Sequence, residues 1–226
     1  VPEDRQALYA LQFFTGTRFG EAAGFRWSDY EIGHEPLAMM RVERQYEKAP
    51  LKGKRGEPGA PRKAPVHPLL ASILATWKLG GFRMMLGRSP TADDFIVPSR
   101  EDACRSLDHM SKKLRADLLR LKLPETWQTH AFRRAFKTLT VGNGAHEVWV
   151  ERIIHNASGG VAAGYLGDHW GAMCRAAMTL PVARPKIAEV IELHPARAAN
   201  DETPIAAGPA GYSASYTDEE RGPFLR

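Results

Sequence analysis

The sequence predicts a mainly α-helical protein with a small antiparallel β-sheet, an α+β fold class, and three observations carry that expectation. Apolar residues recur at helical spacing through most of the chain, as in Leu70, Ile73, Leu74 and Trp77 at i, i+3, i+4 and i+7. The stretch from Leu37 to His67 reads instead as short strands separated by Gly- and Pro-rich turn residues. The 226 residues are 43% hydrophobic and 25% charged, a composition that supports one sizeable core.

Pro2, Glu3 and Asp4 suit a helix start, because proline has no amide to leave unpaired and acids favour the positive end of the helix dipole. Leu8, Leu11 and Phe14 line one face of that helix, and Thr15-Gly16-Thr17 ends it. A second short helix is expected through Glu21 to Trp27. Strands are expected over Leu37 to Gln45, in a short piece toward Leu51, and over Arg62 to His67. Between the last two, Gly53 to Pro61 is turn chemistry, which places Lys52 and Lys54 at the edge or tip of a basic hairpin. The helix containing Leu70 and Trp77 should end near Gly80-Gly81, and a short apolar piece, Phe95-Ile96-Val97, closes at Pro98.

Leu107, Met110, Leu114, Leu118 and Leu121 mark the next helix, with Lys112, Lys113, Arg115, Arg120 and Lys122 on its other face. Pro124 precedes a helix from His130, while Val150, Ile153 and Ile154 line another. Residues 166 to about 193 form one or two more, divided by Pro181 and Pro185. Beyond His194 the chain turns to Ala, Gly, Pro, Ser and acid, so the organisation expected is a domain over 1–193 and a disordered tail over 194–226.

Several function classes are excluded by what the sequence lacks. No apolar run is expected to reach the roughly 18 residues that cross a bilayer, and no charged-then-apolar leader is expected. Two cysteines, Cys104 and Cys174, without a C-x-x-C pair indicate neither a disulfide framework nor a zinc ribbon, which suits a reducing cytoplasm. His146-Glu147 opens an H-E-x-x-H pattern that fails at Val150, and no phosphate-loop motif calls for ATP. No cofactor or metal is therefore expected. The net charge is +5, with basic residues crowded over Lys52 to Lys63 and Arg105 to Lys137 and acids in the tail, a distribution that suits a polyanionic partner.

The residues that carry chemistry are spread along the chain. His130 and Arg133 stand one helical turn apart, so both can meet one anion. A guanidinium grips phosphate oxygens in pairs, and an imidazole donates to a further oxygen or moves a proton. His155 follows, then Tyr165 just past the Gly-rich Gly159 to Gly164. Upstream, Arg18 lies in Thr-Gly-Thr-Arg-Phe-Gly-Glu, between an apolar helix and the Phe25/Trp27 pair. Alone, Arg18 reads as a solvated surface arginine, Lys52 as edge charge that guards a strand, and Tyr165 as a half-buried phenol.

Taken together, Arg18 in a Thr-Gly-x-Arg-x-x-Glu setting, a hairpin lysine, His130-x-x-Arg133, a histidine near 155 and Tyr165 resemble the tyrosine recombinases, the phage-integrase family, over roughly residues 1 to 180. The resemblance implies the recombinase catalytic-domain fold. It further implies that Arg18 and Arg133 hold the non-bridging oxygens of a scissile DNA phosphate and that Tyr165 attacks phosphorus to leave a 3′-phosphotyrosyl bond. His130 is implied as the base, Lys52 as the proton donor to the leaving 5′-oxygen with Lys54 as its alternative, and Glu21 as the group that orients Arg18. The second histidine position falls on His155 or on Asn156, because counting back from Gly159 lands on Asn156.

The partners implied are double-stranded DNA, further copies of the chain (a dimer per site, a tetramer on synapsed DNA) and accessory DNA-bending proteins, with no membrane. The setting implied is the bacterial cytoplasm, at the nucleoid when DNA is bound. A core-binding domain precedes the catalytic domain in this family and is not in the sequence given, which reads as a fragment beginning at Val1. The competing readings are a type IB topoisomerase, which shares the chemistry, and a non-catalytic DNA-binding relative.

Overall fold

The computed structural model describes residues 1–46, 48–52, 59–155 and 169–182. The chain divides into a unit spanning Val1–Ala183 and a second spanning Arg184–Arg226, of which only the first contains described residues. The fold is mainly α with one three-stranded antiparallel sheet, as the sequence predicts.

Helix α1 (Glu3–Thr15) begins after Pro2 with two acids in its first turn and ends at Gly16. It buries Leu8, Leu11 and Phe14, the stripe read from the sequence. Gly16 closes it in the left-handed conformation, with φ of 61°. A Cβ there would lie 2.5 Å from Ile154 Cγ2 and 2.6 Å from the Phe136 ring, so both the backbone angle and the space demand glycine. Helix α2 (Phe19–Ala23) is shorter than expected. Trp27 falls instead in a 3₁₀ turn, Trp27–Asp29, capped where the Asp29 carboxylate accepts from the Arg26 amide at 2.8 Å.

The sheet has the order β1 (Tyr30–Glu31), β2 (Met39–Val42) and β3 (Arg62–Pro65), with Met40 opposite Tyr30 on one side and Ala64 on the other. The two-residue β1 carries too short a pattern to be read from sequence. The expected strand over Leu37 to Gln45 narrows to β2, and the piece toward Leu51 is no strand but an isolated bridge, Gln45 to Ala49. A tight turn there, with Tyr46 at a positive φ, replaces a ladder.

Helix α3 (Pro68–Thr76) does not stop at Gly80-Gly81. It passes through a π turn, Trp77–Gly81, into α4 (Phe82–Leu86), and ends only at Gly87 in the left-handed conformation. A glycine inside a helix costs only about 1 kcal/mol, and at Gly81 it is needed, since a Cβ would strike the Trp77 ring at 2.4 Å and the Glu3 carboxylate at 2.5 Å. The uninterrupted run Pro68–Leu86 has 19 residues and a mean hydropathy of 1.2, long and apolar enough by length and composition alone to cross a bilayer. This corrects the expectation that no stretch reaches that measure. Leu70, Leu74, Trp77 and Phe82 along it belong to the core of the unit, and Lys78 lies over the Trp27 ring at 4.8 Å.

Helices α5 (Leu107–Arg120), α6 (His130–Gly142), α7 (Glu147–His155) and α8 (Trp170–Met178) complete the described elements. α1 packs on α3 and α6, and α7 packs on β3, α6 and α8. Tyr9 of α1 stacks on Phe132 of α6 with centroids 5.3 Å apart, and the Arg5 guanidinium grips the Asp117 carboxylate of α5 at 2.6 and 2.8 Å. The turn after α1, the start of α6, the end of α7 and the start of β3 are thereby brought to one place.

Candidate active site

The site is built around a carboxylate. Glu21 is the third residue of α2, and its side chain accepts from the Arg18 amide at 2.8 Å, the hydrogen bond by which a glutamate at this position closes a helix start. The same side chain is 1% exposed and accepts from Arg62 Nη1 at 3.2 Å and Nη2 at 2.5 Å. Arg18 Nη1 reaches it at 3.2 Å, and Arg133 Nη1 lies 3.9 Å away. Burial opposes the charge on Glu21, but Arg62, followed by the Arg18 amide and Arg133, outweighs it and holds the carboxyl below the usual range. Three guanidinium groups therefore share one carboxylate, and the excess of positive charge is what a phosphate anion would neutralise.

Arg133 projects from α6 into the core rather than into solvent. Its Nη1 donates to the Gly16 carbonyl at 2.9 Å and its Nη2 to the Ile154 carbonyl at 2.7 Å, so the α1–α2 turn and the end of α7 both hold it. Its pKa is pulled down to about 10, first by burial and then by the neighbouring Arg18 and Arg62, against the opposing pull of Glu21. Arg18 sits at the start of α2 in extended conformation, partly exposed, with Nη1 also donating to the Lys52 carbonyl at 3.3 Å.

His155, the last residue of α7, lies against Arg133, with Nη2 at 2.9 Å from Nδ1 and 3.1 Å from Nε2. Burial, and then the Arg133 charge, lower its pKa to about 4, so at neutral pH the ring is uncharged and receives the Arg133 N–H on its unprotonated nitrogen. The other nitrogen keeps a proton to donate. His130, the first residue of α6, is exposed; partial burial and the charges of Arg133, Arg134 and Arg18 lower its pKa. Lys52 is exposed beside Arg18.

Of the residues singled out in the sequence, Arg18, Glu21, His130, Arg133 and His155 occupy this one region, linked by hydrogen-bonding or electrostatic contacts, and Lys52 meets Arg18 there through its backbone carbonyl. Lys54, Asn156 and Tyr165 lie outside the described residues. Arg62 escaped the sequence reading, although a signal for it exists. It shares the alternating face of its strand with Ala64 and Val66, both buried, and a charge on an apolar face requires a buried counter-charge. The buried carboxylate that answers it stands in Phe-Gly-Glu-Ala-Ala, itself an apolar setting. Among the described residues no group of three or more His, Cys, Asp or Glu side chains is placed to hold a metal.

The chain matches no protein-family model and no curated protein. Among solved structures it is similar to the pre-cleavage complex of the XerH site-specific recombinase bound to difH substrate, with a TM-score of 0.52 at 17% identity. The fold is recombinase-like. The alignment covers 69% of this chain and 40% of that one, so the chain spans well under two thirds of the recombinase's length. The post-cleavage complex of XerH with palindromic difH substrate aligns at a TM-score of 0.48 and 17% identity, over 65% of this chain and 37% of that one. Within the recombinase-like fold, the side chains gathered at Glu21 come from the N-cap of α2, from α6 and from β3, with His155 of α7 against Arg133.

Proposed function

We propose that the chain is the catalytic part of a tyrosine site-specific recombinase, which cleaves and rejoins double-stranded DNA and so integrates or excises a mobile element. One observation carries the reading: Arg18 and Arg133, from distant parts of the chain, meet at a single buried carboxylate beside His155. The recombinase-like fold supports it. Two fixed cations at one phosphate stabilise the charge that grows on its oxygens in a pentavalent transition state.

In this reading the Tyr165 oxygen bonds to phosphorus as the bond from phosphorus to the 5′-oxygen breaks. The phenol proton passes to His130, and Lys52 supplies a proton to the departing 5′-oxygen. The ordinary pKa of a phenol is about 10, so a nearby base and cations are needed at neutral pH. His155 donates its remaining ring N–H to a phosphate oxygen. Attack by a 5′-hydroxyl on the phosphotyrosine reverses the steps, so neither metal nor ATP is required. Strand exchange between two sites calls for a dimer of the whole protein on each, and a tetramer at synapsis.

The test is covalent trapping on a nicked suicide duplex. The unaltered protein is expected to become attached to DNA, and Tyr165→Phe to abolish attachment while binding DNA with unchanged salt sensitivity. Attachment by the Tyr165→Phe protein would remove Tyr165 as nucleophile, and failure of the unaltered protein to attach would sink the recombinase reading.

A further inference from the structure

We propose that Arg62 is a positioning residue: it holds the Glu21 carboxylate in place and so keeps the Arg18 and Arg133 guanidinium groups available to a phosphate. The role assigned to that phosphate rests on the recombinase reading; the positioning itself rests on geometry alone. Arg62 cannot be a phosphate ligand as it stands, because its side chain is 3% exposed and three of its N–H groups are committed to protein acceptors. Two go to Glu21, and the third, from Nε, goes to the Ile153 carbonyl at 2.9 Å. Ile153 is two residues before His155 in the last turn of α7. A single planar group therefore ties β3 to α2 and to the end of α7, joining the carboxylate that collects the arginines to the helix end that carries the histidine.

The electrostatic consequence follows from who is nearest to Glu21. With Arg62 in place, its two N–H groups are the main compensation of the carboxylate, Arg18 contacts it at the rim, and Arg133 stands off at 3.9 Å. Without Arg62, a carboxylate with almost no access to water loses its principal partner. The available substitutes are Arg18 and Arg133, the two groups the reaction needs elsewhere. Removing Arg62 should therefore draw the other arginines inward and lower the positive charge offered to an incoming phosphate. Removing the Glu21 charge as well should release them, and the return of the Arg18 and Arg133 positions in the folded variants, read separately from melting, is what a loss of stability alone does not produce.

Four proteins test this: the unaltered chain, Arg62→Met, Arg62→Lys and the double variant Arg62→Met/Glu21→Gln. Nitrogen–proton spectra of the arginine side chains report the positions of Arg18 and Arg133 without DNA. Single-turnover attachment to the nicked duplex, fluorescence anisotropy and thermal melting report cleavage, affinity and folding. Arg62→Met is expected to move both arginine resonances and to slow attachment about ten- to a hundredfold, the range for a misplaced reacting group, with affinity changed less than about threefold. The double variant should return the resonances toward their original positions and recover part of the rate. Arg62→Lys, which keeps the charge but not the fork, should fall between and carries the same comparison if Arg62→Met does not fold. Unmoved Arg18 and Arg133 resonances in the folded Arg62 variants, or no recovery on removing the Glu21 charge, would overturn the proposal. Should the unaltered protein never attach to DNA while the resonances still move and return, the recombinase reading fails and the positioning role stands.

Discussion

Glu21 concentrates the physical problem of this site in one side chain. A buried carboxylate is tolerated only when paired, and removing one partner from a buried pair costs about 3–5 kcal/mol because the other charge is stranded. Here that pairing is divided among guanidinium groups, two of which also meet the phosphate in the proposed reaction, so the proposal links the stability of the unit to the readiness of its site. His155 shows the same linkage through protons. Its folded pKa of about 4 lies below the ordinary 6.5, so between those values the unfolded chain binds more protons than the folded one. Its contribution is complete above about pH 6.5 and is lost as the pH falls toward about 4. His155→Gln is accordingly expected to flatten the fall of melting temperature over that acid window, leaving a residue of slope from His67 and His130, whose pKa values are also lowered. A slope unchanged by the substitution would show that the ring is not held neutral against Arg133.

At the scale of elements, the turn between α1 and α2 decides whether the site exists. Gly16 turns the chain so that its carbonyl meets Arg133, and it leaves room for Phe136 of α6 and Ile154 of α7. Gly16→Ala places a methyl group against both side chains and strains a positive φ, a combination expected to cost about 2 kcal/mol or more in urea unfolding. Because the same turn orders Arg18, DNA attachment should fall further than stability alone explains, which measurement well below the unfolding midpoint would separate. The helix stripes of α1 and α7, and Met110, Leu114 and Leu118 of α5, were legible because burial of one face imposes a period the residues display, whereas Leu107 and Leu121, expected on the same α5 stripe, are exposed. The end of α3 was not, because Gly81 is there for a close approach to Trp77 and Glu3, and a sequence does not distinguish a glycine that breaks a helix from one that lets it pack. Arg62 was missed for a related reason: its partner lies on another element.

For the molecule as a whole, the basic face of α5 is an exposed cationic surface among the described residues. Lys112 and Lys113 are exposed there, together with Arg115, which pairs with Glu125 at 2.9 Å, and Arg120, which lies 3.7 Å from Asp117. If that face meets the DNA backbone, each phosphate contact contributes close to one unit of slope in a plot of log affinity against log salt. Replacing Lys112 and Lys113 by alanine is expected to reduce that slope by about two while leaving melting unchanged. An unchanged slope in anisotropy titrations would move the DNA path off α5.

The sequence by itself determined the α+β class and most of the helical faces, since periodicity is a local property that any chain displays openly, and through a family resemblance it nominated the candidate residues from Arg18 to Tyr165. Only the tertiary structure decided that Arg18, Arg62 and Arg133 share Glu21, and that the ring of His155 is neutral. Both depend on charges from different elements being taken out of water together, and the energy of that step is set by distance and burial, which no linear spacing records.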